Sequence, residues 1–359
     1  MRKHPQMAAI DLNERPFILF WEVTRACALA CKHCRATAQP RPAPDELNHE
    51  EAFALIDQIA ELRPPMLVLT GGDPMLRTDI EDCIAYAASK GLRVALSPAA
   101  TPLLLRADMT HLKNLGVHSI SLSLDGATEA VHDKFRGVPH TFERTIEAAK
   151  RAKAAGIHLQ VNTTITKSTL GELDGFLELM RELQPDMWSV FLLVPTGRAA
   201  MDELPTAEEV EAVWHRIEEL SVDVNFGVKT TEGHHYRRVA LQSAKQRAGA
   251  PARHAIPTRD GKGVAFISHT GDIQPSGFLP ITAGNVRRDD LATIYREHPL
   301  FVKLRDDDAL GGKCGQCEYR KLCGGSRSRA YGMTGDMFAE DPLCSYIPKA
   351  MQSQHSDTL

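Results

Sequence analysis

The sequence lacks three features that would each point to a whole class of function. It has no large excess of one charge, since 42 basic residues face 46 acidic ones for a net charge of −4. We therefore expect no nucleic-acid partner. No apolar run approaches the roughly 18 residues of a membrane span, and the N-terminus has none long enough for a secretory signal. Internal repeats and low-complexity tracts are also missing. These absences predict a globular, cytoplasmic chain with no membrane partner.

Cysteine is scarce but clustered. The chain has eight cysteines in 359 residues: three lie in 27–34, four lie in 314–344, and Cys83 stands alone. Disulfides belong mainly to exported proteins, whereas clustered thiols in an intracellular chain more often hold metal. The spacing therefore predicts two metal sites. Cys83 falls within a helical pattern and is predicted to be a small core residue.

Strand-like apolar runs alternate with longer helical patterns from residue 17 to about 220. The runs read FILFWEVT at 17–24, MLVLTGG at 66–72, RVALSPA at 93–99, SISLSLDG at 119–126, LQVNTTIT at 159–166 and MWSVFLLVP at 187–195. Their continuous apolar character is typical of parallel strands covered on both faces. Six such β-α units predict an α/β fold, an open partial (β/α)6 barrel of the TIM type, with ligands at the carboxyl ends of the strands.

The pattern changes after residue 220. Residues 229–238 and 243–263 are polar and loop-like, 263–280 indicates a hairpin turning at 270–272, and 291–305 indicates one helix. The predicted segments are an N-terminal extension at 1–16, a β/α core at 17–225, a linker at 226–262 and a C-terminal cysteine domain at 263–359.

The first cysteine cluster has the spacing C-x3-C-x2-C and directly follows the first predicted strand. Three thiolates on a four-iron cluster would leave one iron open to another ligand, unlike a fully ligated structural site. The loop CALACKHC resembles the cluster loop of radical S-adenosylmethionine (radical SAM) enzymes. The resemblance implies a 4Fe–4S cluster on Cys27, Cys31 and Cys34, with S-adenosylmethionine on its open iron, and a reductant such as ferredoxin or flavodoxin.

The resemblance also implies cofactor contacts at the other strand ends. These are Gly71, Gly72, Asp73, Ser123, Asp125, Arg136, Asn162 and Val194. Gly71 and Gly72 would let the methionine ammonium approach the backbone, and Arg136 would bind the cofactor carboxylate. Asp125 is alternatively a helix N-cap. His33, where the family commonly has an aromatic residue, either packs over the cluster or is a fourth ligand; we favour packing.

The second cluster, Cys314, Cys317, Cys323 and Cys344, supplies four thiolates. Spacing alone leaves a structural zinc and a four-iron cluster both open. The stretch resembles the SPASM or twitch extension of radical SAM proteins, which implies one auxiliary 4Fe–4S cluster. Ser276 stands where the longer type often has a further cysteine.

The sequence around the second cysteine cluster resembles that of the tetrapyrrole branch of the family. This resemblance implies hydrogen abstraction from a carboxylate-bearing substrate, such as a haem precursor that undergoes oxidative decarboxylation. Arg320, Arg327 and Arg329 are candidates for binding propionates, or for pairing with the chain's own acids. His234 and His235 are candidate ligands, although an exposed loop is the favoured interpretation. The alternatives are modification of a ribosomal peptide, and a non-catalytic iron–sulfur electron carrier.

Overall fold

A computed structural model describes residues 10–247 and 256–352. Parts of the predicted N-terminal extension, linker and C-terminal domain therefore lie outside the described residues, namely 1–9, 248–255 and 353–359. Within the described part of the chain, no helix is long and apolar enough to cross a membrane.

The core is a parallel sheet of seven strands, one more than the sequence predicts. The strands are β1 Ile18–Glu22, β2 Met66–Thr70, β3 Val94–Leu96, β4 Val117–Ser123, β5 His158–Ile165, β6 Met187–Leu192 and β7 Gly227–Thr231. Each pairs in parallel with the next, in the order β1 to β7. The connecting helices are α1 His49–Leu62, α2 Ile80–Ser89, α3 Pro102–Arg106, α4 Met109–Leu115, α5 Glu129–Arg136, α6 Thr141–Ala154, α7 Leu173–Leu183 and α8 Ala207–Leu220. The predicted α/β architecture is confirmed.

Local signals in the sequence explain where the main helices begin. Asn48 starts α1 with a capping box, because its side chain accepts from the Glu51 backbone N–H and the Glu51 carboxylate accepts from the Asn48 N–H. Thr206 and Glu209 start α8 in the same way. Between β3 and β4 the chain forms two helices, α3 and α4, because Asp108 caps a new start.

The strands do not have two equally apolar faces, contrary to the sequence interpretation. On β4, Ile120 and Leu122 are fully buried, whereas Ser123 is partly exposed. On β5, Gln160 and Asn162 are partly exposed and alternate with buried apolar residues. One face therefore packs in the common hydrophobic core, and the other presents polar side chains to the concave side of the sheet.

The predicted loop at 229–238 is wrong in part, because β7 ends there and α9 Tyr236–Gln246 begins. Beyond it, the predicted hairpin is confirmed. Strands β8 Arg259–Asp260, β9 Gly263–Ile267, β10 Asp272–Gln274 and β11 Gly284–Asn285 follow. β9 and β10 are antiparallel, and β9 also pairs in parallel with β1, so one sheet is continuous from the core into the C-terminal segment.

Five further helices lie in the described part of the C-terminal segment. They are α10 Leu291–Glu297, α11 Pro299–Arg305, α12 Gly312–Gln316, α13 Arg327–Thr334 and α14 Lys349–Gln352, and α12 contains Cys314. The single helix predicted at 291–305 is broken between α10 and α11, because Pro299 cannot continue α10 and His298 caps α11 instead. Cys83 is fully buried in α2, which confirms its predicted place in the core.

Candidate active site

The first cysteine loop leaves the carboxyl end of β1 and is held by backbone hydrogen bonds. Cys27 N–H donates to the Gln39 carbonyl at 2.8 Å, which closes the loop at its base. The backbone N–H groups of Leu29 and Ala38 donate to the sulfurs of Cys27 and Cys34 at 3.3 and 3.4 Å. Such N–H to sulfur bonds stabilise thiolate ligands of iron–sulfur centres.

Gly71 and Gly72 lie directly beneath this loop. A Cβ on Gly72 would come within 2.3 Å of the Ala26 carbonyl oxygen, and one on Gly71 within 2.5 Å of the Thr24 carbonyl oxygen. Gly72 N–H also donates to the Thr24 carbonyl at 2.8 Å. The two glycines therefore let the end of β2 pack against the cysteine loop, a reason that differs from the cofactor approach that the sequence suggested.

Asp73 is fully buried and faces the protein. Its carboxylate accepts from the Met75 and Ala99 backbone N–H groups at 3.1 and 3.3 Å, and from the Thr101 hydroxyl at 3.0 Å. Burial raises the pKa of this carboxyl. Asp73 thus joins the ends of β2 and β3.

Asp125 and Arg136 form a buried ion pair beside the cysteine loop. Burial alone would raise the pKa of Asp125, but the Arg136 guanidinium outweighs it and lowers that pKa. A second guanidinium nitrogen lies 3.6 Å from the Cys31 sulfur. Asp125 is not an N-cap, because Thr128 caps α5. The structure thus gives Arg136 two neighbours of its own, a carboxylate and a thiol.

Ser123 and Asn162 are direct neighbours in the register of β4 and β5. The Asn162 side-chain oxygen accepts from Gln160 at 2.7 Å, on the polar concave face. Val194 is buried just after β6. Both strand ends lie at the same edge of the sheet as the cysteine loop, but their contact with a cofactor stays a prediction.

The four C-terminal cysteines line one pocket. Backbone N–H groups of Tyr319, Gly325 and Asp341 donate to the sulfurs of Cys317, Cys323 and Cys314 at 3.4, 3.5 and 3.4 Å. Burial raises the pKa of Cys323 and of Cys344 to about 12. Thiols so buried ionise only with a positive centre beside them, which a metal would provide.

The sulfur spacing distinguishes the kinds of metal that would fit. Four thiolates around one zinc, each about 2.3 Å from the ion, lie about 3.8 Å apart. Among the described residues, no three cysteine sulfurs at either site lie within 4.8 Å of one another. At neither site are the sulfurs drawn together as they are around a single tetrahedral ion, and a multi-iron cluster spreads its thiolates further apart.

Comparison with known proteins decides the family. A family model described as Radical SAM superfamily matches residues 21–180. A protein of Nitratidesulfovibrio vulgaris named AdoMet-dependent heme synthase is 43% identical over 343 residues, which are 93% of each chain. This chain belongs to the radical SAM superfamily. It is therefore an enzyme, which removes the electron-carrier alternative, and the family implies S-adenosylmethionine and a 4Fe–4S cluster as cofactors.

Two further likenesses agree with this assignment. An AdoMet-dependent heme synthase of Methanosarcina barkeri is 37% identical over 346 residues, covering 94% of this chain and 99% of that protein. The solved structure of SuiB from Streptococcus suis, bound to S-adenosylmethionine, has a TM-score of 0.70 at 17% identity, covering 93% of this chain and 78% of SuiB. The likeness to SuiB concerns the fold.

His33 of this radical SAM chain stacks on Phe135, with ring centroids 4.3 Å apart and 25° between the planes. Burial lowers the pKa of His33 to about 4, so the ring is neutral. This stacked position is consistent with the packing role that the sequence favours over ligation.

Sequence reasoning missed the residues that clamp the cysteine loop of this radical SAM chain. Arg198 donates to the carbonyls of Cys31 and Ala38 at 3.0 and 3.2 Å, and its N–H bonds the Cys34 carbonyl at 3.0 Å. Gly197 has a φ of +61°, and a Cβ there would lie 2.4 Å from the Cys34 carbonyl oxygen. The predicted run at 187–195 leads directly into this glycine–arginine pair, which is the sequence signal that could have identified the clamp.

A second missed group anchors the loop to the C-terminal hairpin. Glu22, at the end of β1, accepts from Arg35 at 2.8 Å, and its other oxygen lies 2.9 Å from His269 Nδ1. Burial opposes ionisation of Glu22, but the two partners outweigh it and lower its pKa. No short motif links these three positions in sequence.

The arginines proposed for substrate propionates have partners within the protein. Arg329 pairs with Asp341 at 2.7 Å, and both side chains are fully buried. Arg327 donates to the carbonyls of Met337 and Ala339. Arg320 pairs with Asp308 at 2.7 Å at the surface. The structure therefore favours the alternative, pairing with the chain's own groups.

His234 and His235 are buried, so the expected exposed loop is wrong. His235 lines the pocket of the four cysteines and lies 3.9 Å from the Asp341 carboxylate. Burial lowers the pKa of His235 to about 4. His235 therefore belongs to the wall of the second cysteine site, and His234 is its buried neighbour in sequence.

Proposed function

We propose that this enzyme converts propionate side chains of a haem precursor into vinyl groups by S-adenosylmethionine-dependent oxidative decarboxylation. The observation that carries the proposal is the similarity to two AdoMet-dependent heme synthases, which extends over 93% and 94% of the chain. A match of that extent includes both the parallel core and the C-terminal cysteine segment. The proposal concerns the substrate and the net reaction.

The net change on each propionate side chain defines what the enzyme must remove from it. A propionate, –CH2–CH2–COO⁻, loses one hydrogen atom, one electron and carbon dioxide and leaves –CH=CH2. Bound S-adenosylmethionine, when its cluster is reduced by one electron, supplies the radical that removes the hydrogen atom. The remaining electron needs an acceptor, and a redox cluster at the four-cysteine site is the candidate that this chain offers.

The residues of the first site have distinct proposed tasks. Cys27, Cys31 and Cys34 ligate the cluster, and the Arg198 clamp keeps their loop in one conformation. Ser123, Asn162 and Val194 are proposed to contact the cofactor from the ends of their strands. Arg136 is proposed to balance the thiolate charge at Cys31, with Asp125 fixing the guanidinium.

The second site is proposed to hold one auxiliary 4Fe–4S cluster on Cys314, Cys317, Cys323 and Cys344. Four sulfurs lining one pocket, N–H donors to three of them, and sulfurs that are not drawn together as around a single zinc ion support this. The external electron donor is proposed to be a low-potential protein such as ferredoxin or flavodoxin.

Anaerobic turnover tests the proposal directly. Reconstituted enzyme is incubated with dithionite, S-adenosylmethionine and iron coproporphyrin III, a porphyrin bearing four propionates. We expect 5′-deoxyadenosine, and a porphyrin whose mass falls by one formic acid equivalent for each side chain converted. The Cys27→Ala variant, which lacks one cluster ligand, is expected to form neither product. Formation of 5′-deoxyadenosine with no mass change in any porphyrin offered would direct the search to peptide substrates.

A further inference from the structure

A row of polar residues crosses the concave face of the sheet at one level. In the strand register, Ser123 of β4 pairs with Asn162 of β5, Asn162 with Ser189 of β6, and Ser189 with Lys229 of β7. Paired residues on parallel strands project to the same side of a sheet. Lys229 is thus the cationic end of a row whose first two members are proposed to contact the cofactor.

Contacts around β7 show that Lys229 projects to the concave side. Thr230 lies on the opposite side, because its side chain and the Trp214 ring of α8 both border Gly233. The Thr231 hydroxyl lies 3.2 Å from the Ser189 hydroxyl, so Thr231 faces the same way as Ser189. Lys229, two residues before Thr231 on the same strand, shares that side.

Lys229 is a cation without a counter-ion. Its side chain is exposed, yet the surrounding protein still lowers its pKa to about 8. Among residues 10–247 and 256–352, its ammonium has no ion pair and no hydrogen bond. The buried guanidinium groups of Arg136 and Arg329, by contrast, are paired with Asp125 and Asp341. An unpaired ammonium on this face is available to bind a carboxylate of a ligand.

Aromatic side chains lie next to this polar row on the same face of the sheet. Phe191 of β6 is the register neighbour of Thr231. Thr231 follows Lys229 by two residues, toward the carboxyl ends of the strands. Phe278, from the loop after β10, lies with its ring centroid 6.5 Å from that of Phe191. Both rings are partly exposed. Aromatic side chains above an unpaired cation match a ligand that is flat and apolar in its body and carries a carboxylate at its edge.

We propose that Lys229 binds a carboxylate of the substrate, and so holds one side chain of an apolar macrocycle on the concave face. This inference rests on the proposed function and assigns a specificity residue to it. Lys229 lies two strand spacings, about 10 Å, from Asn162, so it is a substrate contact beside the proposed cofactor positions.

Equilibrium binding tests this inference without turnover. Iron coproporphyrin III and its tetramethyl ester are titrated into anaerobic, cluster-loaded enzyme with S-adenosylmethionine and no reductant, and binding is followed by the porphyrin absorbance. Lys229→Met removes the charge at similar length, Lys229→Arg restores it, and Lys150→Met changes an exposed lysine of α6 as a matched control.

We expect Lys229→Met to weaken binding of the acid by roughly tenfold to a hundredfold, as for loss of one charge-assisted hydrogen bond, and to leave the ester unaffected. Lys229→Arg should recover most of the affinity, and Lys150→Met should match the unsubstituted enzyme. Equal binding of the acid by Lys229→Met overturns the inference, as does a loss of S-adenosylmethionine affinity instead. If the unsubstituted enzyme binds no porphyrin, the proposed function itself fails.

Discussion

Individual residues at the first cysteine site act mostly on the loop that carries the cysteines. Gly71, Gly72 and Gly197 pack closely against the loop because they lack a Cβ. Arg198 donates hydrogen bonds to three of the loop's carbonyl oxygens. Arg136 approaches its middle sulfur. A loop with three thiolates of like charge needs this external support, because its own backbone makes few regular hydrogen bonds. The site therefore depends on packing and hydrogen bonds within the protein as well as on its three cysteines.

The Gly72→Ala substitution tests this dependence. Its Cβ would meet the Ala26 carbonyl oxygen at 2.3 Å, and backbone cannot move aside as a flexible side chain can. We expect a loss of about 1–3 kcal/mol in unfolding free energy, together with lower iron occupancy at the first site. Gly171→Ala is the matched control, since nothing lies within 4 Å of its Cβ. Denaturant midpoints and iron analysis measure both, and equal behaviour of the two variants would contradict the packing role.

The pH dependence of substrate binding is expected to follow Lys229. Desolvation by the surrounding protein lowers the pKa of its ammonium to about 8, so the free enzyme carries this charge below pH 8 and loses it above. Its nearest neighbours on the concave face, Ser189 and Thr231, are neutral. Affinity for the carboxylate porphyrin should therefore fall as the pH rises from about 8 to 10. Lys229→Arg should remove most of this fall, because arginine stays protonated. A fall that persists in Lys229→Arg would mean that another group titrates.

At the scale of elements, sequence patterns predicted those strands and helices that bury an apolar face. Strands β1 to β6 contain runs such as MLVL and WSVFLL, so their places were found to within a few residues. The seventh strand, GVKTT, has no such run, because its concave side carries Lys229 and Thr231 and only its outer side packs. A strand of this kind lacks a local signal; its pairing with β6 determines it.

The same reasoning explains which site residues could be predicted. The seven clustered cysteines and the strand-end glycines stand out because spacing and residue type reveal them. Glu22, Arg35 and His269 could not be found, because their contact spans up to 247 positions in sequence. Arg327 and Arg329 were visible, but their burial against carbonyl oxygens and Asp341 depends on how α13 packs.

The element α13 is fixed by the buried pair of Arg329 and Asp341, and its loss should be costly. Arg329→Met leaves Asp341 buried without a counter-ion, which we expect to destabilise the protein by about 3–5 kcal/mol. Because Asp341 N–H donates to the Cys314 sulfur, iron at the second site should also fall. Arg320→Met, which breaks an exposed pair with Asp308, is the matched control and should cost under about 1 kcal/mol. Similar unfolding midpoints for the two variants would show that the buried pair does not hold α13.

At the scale of the whole molecule, the two cysteine sites are joined through shared elements. The loop after β6 contacts both: Gly197 packs on the first cysteine loop, and a Cβ on Gly332 of α13 would lie 2.9 Å from the Pro195 carbonyl oxygen. Arg329 also donates to the Glu232 carbonyl just beyond β7. The continuous sheet from β9 through β1 is a second connection. Such contacts would keep the proposed auxiliary cluster at a fixed distance from the first cluster.

The number and independence of the clusters test this organisation. Anaerobically reconstituted enzyme should contain about eight irons, four at each site, and no zinc. The triple variant of Cys27, Cys31 and Cys34 to Ala should keep about four irons, since the second site has all of its ligands. Cys83→Ala, a change in the core of α2, is the control and should keep all of them.

Electron paramagnetic resonance then assigns each cluster. S-adenosylmethionine should alter the reduced spectrum of the enzyme with both clusters, because only the three-cysteine cluster has an open iron. It should leave the spectrum of the triple variant unchanged. Four irons in the unsubstituted enzyme, with zinc at the second site, would refute the auxiliary cluster and leave the substrate's electron without an acceptor in this chain. Loss of all iron from the triple variant would instead show that the second site cannot form alone, and that the shared loop makes the two sites a single cooperative unit.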